Sequence, residues 1–308
     1  MSIKPFGYSV IINYFNSIEF LDDAINSLLN QTYKDWQLIF VDNCSKVSPL
    51  KELRSVKNKV IYLRLDKTMP LGYARNKALT LCDTEYFGFL DSDDIWLPNK
   101  IEMHVNAFMV DPRIGLVASE CGLIKNKKYF GKFTNSYRIT NKDALKTIIK
   151  KNYLVMSSVS IRSNFIKNNK IFFDEKMQIL EDTIFFFQIL KISNYFCIPE
   201  ILCFWRYSRN STTFKNLDRV LYEKKYFRDR YLLELETFNS IDLIFYNERL
   251  TLLEGIIEYR NGKNKYCRKK LSSLILKYNK ALVIYLLTFL PGQFGIKIYE
   301  FIKGNPMI

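Results

Sequence analysis

The chain has 308 residues, 48% of them hydrophobic, enough to bury an ordinary core in one large domain or two unequal ones. A formal net charge of +15 draws it toward something anionic, whether nucleic acid, an acidic leaflet or phosphorylated substrates. Six cysteines without paired metal-type spacing, and an opening Met-Ser-Ile-Lys with no signal-peptide apolar stretch, argue against a zinc module or an exported disulfide scaffold and predict a reduced, cytoplasmic protein.

In chain order, Tyr8 to Asn13 reads as a buried strand and Ile18 to Leu29 as an amphipathic helix, with Phe20, Leu21, Ala24, Ile25 and Leu28 at helical spacing. Trp36 to Val41 predicts a second strand ending at Asp42, and Val60 to Leu65 a third. Gly72 to Leu81 predicts a helix, and Tyr86 to Leu90 a fourth strand ending at Asp91. Strand and helix in alternation build parallel crossover units, so the fold class is α/β, a sheet with helices on both faces. Ligands of such sheets bind beyond the carboxyl ends of the strands, which puts Asp42 and Asp91 at the binding rim.

Asn99 to Phe108 reads as a helix carrying the only histidine, His104, as a structural residue. From Asn141 to Trp205 helical and extended patterns mix, with Met156 to Ile161 strand-like and Glu181 to Ile192 helical. From Lys215 the texture turns to helices rich in Leu, Tyr, Lys and Glu. The expected division is a catalytic domain over 1–214, with halves at about 1–110 and 111–214, and a helical region over 215–308.

The sharpest local signal is Asp91-Ser92-Asp93-Asp94, directly after an apolar strand. Carboxylates at i and i+2 past a strand end can share one hard divalent cation and leave coordination positions for phosphate oxygens. A solvated acidic turn would look the same in isolation.

Five blocks in order supply the context: Ser9-Val10-Ile11-Ile12-Asn13-Tyr14-Phe15-Asn16, Ser27-Leu28-Leu29-Asn30-Gln31-Thr32-Tyr33, Val41-Asp42-Asn43-Cys44-Ser45, Gly72-Tyr73-Ala74-Arg75-Asn76 and Phe89-Leu90-Asp91-Ser92-Asp93-Asp94. Together they resemble the family 2 glycosyltransferases, inverting enzymes with a GT-A fold, of the kind that builds bacterial surface polysaccharide. The resemblance implies a UDP-sugar donor and Mn2+ or Mg2+ as cofactor. It implies that Asp42 accepts the uracil imide proton, that Asn16 and Asn43 lie near base or ribose, and that Arg75 and Ser92 lie near the nucleotide. Asp91 would line the ribose and metal site, and Asp93 would bind the cation directly. Farther on, Phe172-Phe173-Asp174-Glu175 and Leu180-Glu181-Asp182 look like the acceptor-side segment, with Asp182 as the base that deprotonates the acceptor hydroxyl. Plain helix capping is the alternative for Asp182.

Two departures weaken parts of that transfer. Where relatives often carry Tyr-Arg-x-His, this chain reads Trp205-Arg206-Tyr207-Ser208-Arg209, with Ser208 in the place of the histidine, and Arg206 or Arg209 is expected to steady the diphosphate instead. Lys46-Val47 also stands where an acid usually follows, which weakens the ribose assignment.

Near the carboxyl terminus, Arg260, Lys263, Lys265, Arg268, Lys269 and Lys270 precede the apolar run Ala281 to Leu290, which is too short to span a bilayer. That pattern suits an anchor on an anionic inner-leaflet surface, with a lipid-linked saccharide as acceptor, such as an O-antigen or capsule intermediate, and a peripheral location on the inner membrane face. A solvated helix packed on the catalytic domain is the alternative. Three other functions fit the sequence less well. A nucleic-acid binder would have no use for Asp91 to Asp94, so no nucleic-acid partner is expected; a nucleotidyltransferase would open with a Gly-rich loop that is absent here. A catalytically silent relative would tolerate loss of the carboxylates, yet Asp42, Asp91, Asp93 and Asp182 are all present.

Overall fold

The computed structural model describes residues 7–125, 128–134, 136–206, 216–233, 235 and 240–290, the side chain at 241 excepted. The chain forms two compact units, Met1–Arg209 and Asn210–Ile308. The expected boundary at 214/215 lies outside the described residues.

The first unit is built on one mixed sheet with strand order β3-β2-β1-β4-β8-β6-β9-β5, and β7 paired to β6. β1 (Tyr8–Tyr14) and β2 (Trp36–Asp42) are almost wholly buried, as continuous apolar runs in central parallel strands should be. β3 (Val60–Arg64) is half-exposed at the sheet edge, and β4 (Tyr86–Phe89) runs parallel to β1 on its other side. The helix α1 (Leu21–Leu29) starts at Leu21 rather than Ile18; it buries Leu21, Ala24, Ile25 and Leu28 of the expected stripe, while Phe20 precedes the helix and is half-buried. α2 (Leu71–Leu81) packs on β2 and β1, and α3 (Lys100–Val110) packs on β6 and β9.

Past β4 the direction changes. β5 is the two-residue Ile95–Trp96, and β6 (Ile114–Lys125) turns back through the hairpin strand β7 (Lys128–Lys132). After α4 (Asn141–Lys150), β8 (Val159–Arg162) inserts antiparallel between β4 and β6. α5 (Ser163–Asn169) and α6 (Glu181–Leu190) follow, and β9 (Asn194–Arg206) runs parallel to β6 over nearly its whole length.

Two further local expectations change. Met156 to Ile161 is a 3-10 turn over Met156–Ser158 before the strand begins at Val159. Helix α6 ends at Leu190 rather than Ile192. The two longest strands carried no clear sequence signal: β6 dilutes its apolar residues with Ser119, Glu120 and Gly122, and β9 holds Pro199 and Glu200 in its middle. The register explains how Pro199 is tolerated. Ser119 pairs with Ile198 and Glu120 with Ile201, so Pro199 and Glu200 bulge out of the ladder and no bond from the missing N–H is needed.

The second unit holds helices Leu217–Phe227, Ser240–Arg260, Asn264–Leu271 and Asn279–Leu287. Ile256, Tyr259, Cys267, Leu271, Leu274, Ala281, Ile284 and Leu287 form its core. A Cβ added at Gly255 would lie 2.4 Å from the Leu271 side chain, so glycine lets the helices Ser240–Arg260 and Asn264–Leu271 meet closely. The run Ala281 to Leu290 is therefore two-faced: Ala281, Ile284 and Leu287 are core, while Leu282, Val283, Leu286, Phe289 and Leu290 are exposed. No helix among the described residues is long and apolar enough to cross a membrane.

Candidate active site

Parallel β1, β2 and β4 end together, and their carboxyl ends deliver the residues singled out by sequence. Asp42, last in β2, is wholly buried and hydrogen-bonded on both oxygens. Oδ1 accepts the Ser45 N–H at 2.8 Å; Oδ2 accepts the Tyr62 hydroxyl at 2.9 Å and the Arg64 guanidinium. Burial works against the charge, but the bonds from Ser45 and Tyr62 and the Arg64 cation outweigh it, and the carboxyl is held below its ordinary range. The carboxylate that the resemblance offers to an imide proton is thus closed over by Tyr62 and Arg64. Arg64 itself is 46% exposed.

The two asparagines expected near base and ribose hold loops. Asn16, in the left-handed region at φ 53°, receives the Lys46 N–H on Oδ1 at 2.7 Å and donates its own N–H to Ser45 Oγ at 3.0 Å. Asn43 exchanges two bonds with the backbone of Met69, at 2.8 and 2.9 Å. Both therefore shape the walls around Asp42. Asn13, also at the end of β1, is different: neither atom of its buried side-chain amide has a hydrogen-bond partner among the described residues. An orphaned amide at a strand end is the kind of group a ligand satisfies.

In the turn Asp91 to Asp94 the carboxylates divide into one strut and two open groups. Asp94 is wholly buried; its oxygens accept the Ser157 hydroxyl at 2.6 Å and the Arg206 N–H at 3.0 Å. Ser157 Oγ also receives the Asp91 N–H at 3.1 Å, and its carbonyl takes the Trp96 indole N–H at 2.8 Å. The turn is clamped from β5, from the 3-10 turn and from β9. Ser92 is buried within it, whereas Asp91 keeps 41% of its side chain exposed and Asp93 is half-buried. Burial, then the neighbouring Asp91 charge, pushes the Asp93 carboxyl up to about 6, a sign of crowded carboxylates that a cation would relieve.

As oxygen donors, Asp91 and Asp93 suit Mg2+ or Mn2+, and two carboxylates leave most of an octahedral shell to phosphate oxygens and water. No group of three or more His, Cys, Asp or Glu among the described residues is placed to hold a metal ion. Ser208 and Arg209 lie outside the described residues.

The buried Arg206 guanidinium donates to the Asp93 carbonyl at 2.7 Å, pairs with Asp23 at 3.0 Å and lies 3.9 Å over the Phe20 ring, and so braces the acidic turn.

The buried Arg75, on α2, joins the turn to a second acidic group. Its guanidinium is 3.0 Å from Glu181 and 3.7 Å from Asp91, and it lies over the rings of Phe173 and Phe89. Asn76 beside it pins the segment before α6 through both backbone groups of Phe173 and through Glu175. Asp182 is the second residue of α6; the position before the helix is Leu180, with no side-chain cap, so Asp182 is not the capping residue. Its oxygens accept the Thr183 N–H and hydroxyl and the Asn152 amide at 3.3 Å. Burial, then the adjacent Glu181 charge, raises the Asp182 carboxyl to about 7, with Arg75 opposing the shift. A carboxylate near neutrality, not tied to the paired turn, has the character of a general base.

Sequence reasoning missed Ser157, Asn152, Tyr62 and Arg64, none of which lies in the five blocks, and it missed the bracing role of Asp94. His104 is wholly buried on α3, and burial followed by the nearby Lys100 charge keeps its imidazole neutral, in line with a structural residue.

Comparison with known proteins gives the family and the fold. Residues 9–190, more than half of the chain, match the family model Glycosyl transferase family 2. The Escherichia coli UDP-Glc:alpha-D-GlcNAc-diphosphoundecaprenol beta-1,3-glucosyltransferase WfgD is 32% identical over 45% of this chain, which spans only 54% of that relative's length. Among solved structures, S. aureus TarS 1-349 in complex with UDP-GlcNAc aligns with a TM-score of 0.60 at 16% identity, over 90% of both chains. The mannosyltransferase PcManGT from Pyrobaculum calidifontis, in complex with GDP-Man and Mn2+, aligns with a TM-score of 0.63 at 14% identity, over 90% of this chain and 78% of that one. The sheet and its flanking helices are thus of the GT-A type, and the chain belongs to glycosyl transferase family 2.

Proposed function

We propose that the protein moves a hexose or N-acetylhexosamine from a UDP-sugar to a lipid-linked saccharide with inversion at the anomeric carbon. The observation that carries this reading is the Arg75 bridge: one guanidinium touches Asp91 and Glu181, so the turn suited to a cation and the carboxylate suited to a base stand within two side chains of each other. UDP-GlcNAc in TarS and the undecaprenol-linked acceptor in WfgD's name support the donor and acceptor classes.

The chain's own residues divide the work. Asp182 takes the proton of the acceptor hydroxyl, whose oxygen attacks the anomeric carbon as the bond to the diphosphate oxygen breaks on the opposite face. A β-linked product follows from an α-linked D-sugar donor. Asp42 and Asn13 stand at the nucleobase end, and Arg75 keeps the two carboxylate sets in register. A divalent cation held by Asp91 and Asp93 would neutralise the charge developing on the departing UDP, as the Mn2+ in PcManGT invites.

The test is UDP release from UDP-glucose, UDP-galactose and UDP-N-acetylglucosamine, with and without Mn2+. One donor should turn over, and EDTA should abolish its turnover. Failure of calorimetry to detect manganese-dependent uptake of any of the three would sink the reading.

Membrane docking belongs to the same proposal. The exposed face Leu282, Val283, Leu286, Phe289 and Leu290, on a segment that opens with Lys280, suits the inner-leaflet surface. Deleting the segment would also remove the core residues Ala281, Ile284 and Leu287, so substituting Leu282, Leu286 and Phe289 by Ser is the cleaner test.

A further inference from the structure

Separate from the tail, the first unit carries an exposed aromatic surface on its β6–β7 hairpin. Tyr129 (54% exposed), Phe130 (51%), Phe133 (49%) and Tyr137 (42%) crowd one short segment. Exposed aromatic clusters of this kind mark a partner. Over residues 125–138 the sequence holds five basic residues, Lys125, Lys127, Lys128, Lys132 and Arg138, and no acidic one.

The segment is held in place from beneath. The wholly buried Glu120 on β6 accepts the Thr134 hydroxyl at 2.6 Å and the Tyr137 N–H at 2.8 Å, with Lys132 at 3.5 Å. Phe133 donates its N–H to the Cys121 carbonyl at 2.8 Å. The inner ring edges rest on β9, Tyr129 at 5.5 Å from Phe204 and Phe133 at 4.8 Å from Trp205. The outward faces are therefore presented on a fixed frame.

Its position is tied to the acidic turn. Tyr129 pairs with Ile124, Ile124 with Arg206, and the Arg206 N–H binds Asp94. Two strand spacings, about 10 Å in all, separate the hairpin from the strand that clamps the turn.

We infer that this hairpin docks the catalytic unit on an anionic bilayer, its aromatic rings at headgroup depth and its lysines on lipid phosphates. The inference rests on the lipid-linked acceptor proposed above. Aromatic rings on a segment rich in Lys and Arg match the chemistry of the membrane interface. A protein partner fits less well, because lysine is depleted in protein interfaces. A neutral glycan would stack on one or two rings and would have no use for the cations. Docking there brings a diphosphate-linked acceptor beside the turn, where a tail alone would only raise its local concentration.

The test is sedimentation of the full chain with phosphatidylcholine vesicles, with and without about 30% phosphatidylglycerol, a range in which polybasic attraction to the surface is felt. Four proteins are compared: the native chain, the Tyr129→Ser/Phe130→Ser pair, the Lys125→Gln/Lys128→Gln pair, and the tail triple Leu282→Ser/Leu286→Ser/Phe289→Ser. The native chain should bind only the anionic vesicles. Each hairpin pair should lose about tenfold in partition, of the order expected when interfacial aromatics or two cations are removed. Both pairs should keep the native melting temperature and native UDP release with a water-soluble acceptor. Native partition by both hairpin pairs, with loss only in the tail triple, overturns the inference and leaves membrane docking intact. Absence of binding by the native chain overturns both. Unchanged partition with a raised KM for the soluble acceptor would make the surface a sugar platform and overturn the inference too.

Discussion

The turn Asp91 to Asp94 packs three carboxylates after one strand, while Glu181 and Asp182 begin a helix, and the two sets are supported in opposite ways. In the first, Asp94 is clamped by Ser157 and the Arg206 N–H so that Asp91 and Asp93 stay open. In the second, Glu181 is paired to Arg75 with its other oxygen buried and without a hydrogen-bond partner, which leaves Asp182 with a raised proton affinity. One arrangement concentrates negative charge for a cation; the other stores a proton acceptor near neutral pH. Arg75 reaches both.

The largest test of that contrast removes the link. Arg75→Met would leave Glu181 as a buried unpaired charge and should cost about 3–5 kcal/mol of stability, read as a fall in the urea midpoint. A near-native midpoint would mean the bridge is not structural. Next, Asp182→Asn should lower kcat by roughly 100-fold or more while UDP affinity stays native, because only the proton acceptor is lost. Unchanged turnover would remove Asp182 from the mechanism.

Asp94→Ala should cost about 1–3 kcal/mol by orphaning Ser157 and the Arg206 N–H, and should weaken manganese-dependent nucleotide uptake without being a ligand itself. If thermal stability holds while uptake vanishes, Asp94 contacts the cation and the division of roles is wrong. The smallest effect is electrostatic. With its carboxyl raised to about 7, Asp182 gains a proton as pH falls through that value, so kcat/KM should fall on the acid side of about 7. Glu181→Gln removes a charge that raises it, so the acid limb should move to lower pH and the rate at pH 6 rise a few-fold relative to the plateau. A limb that stays put would show that burial alone sets it.

The donor side was readable because its residues are local. Asp42 and Asp91 follow continuous apolar strands, and a parallel sheet with crossover helices brings such strand ends to one rim. The acceptor side was harder. β6 and β9 are diluted by Ser119, Glu120, Pro199 and Glu200, whose tolerance depends on a bulge that only pairing reveals. The bracing contacts of Arg206 were not legible because its partners Asp23 and Asp93 are 183 and 113 residues away, a relation no spacing rule contains.

By itself, then, the sequence determined the alternating order that makes an α/β sheet, the two carboxylates at strand ends, and the Glu-Asp pair at the start of a helix, because each follows from periodicity or from neighbours within a few residues. The tertiary structure alone decided which carboxylates remain open. Burial and hydrogen bonding depend on groups distant in the chain: Ser157 and Arg206 close Asp94, Tyr62 and Arg64 close Asp42, and Arg75 with Glu181 tunes Asp182.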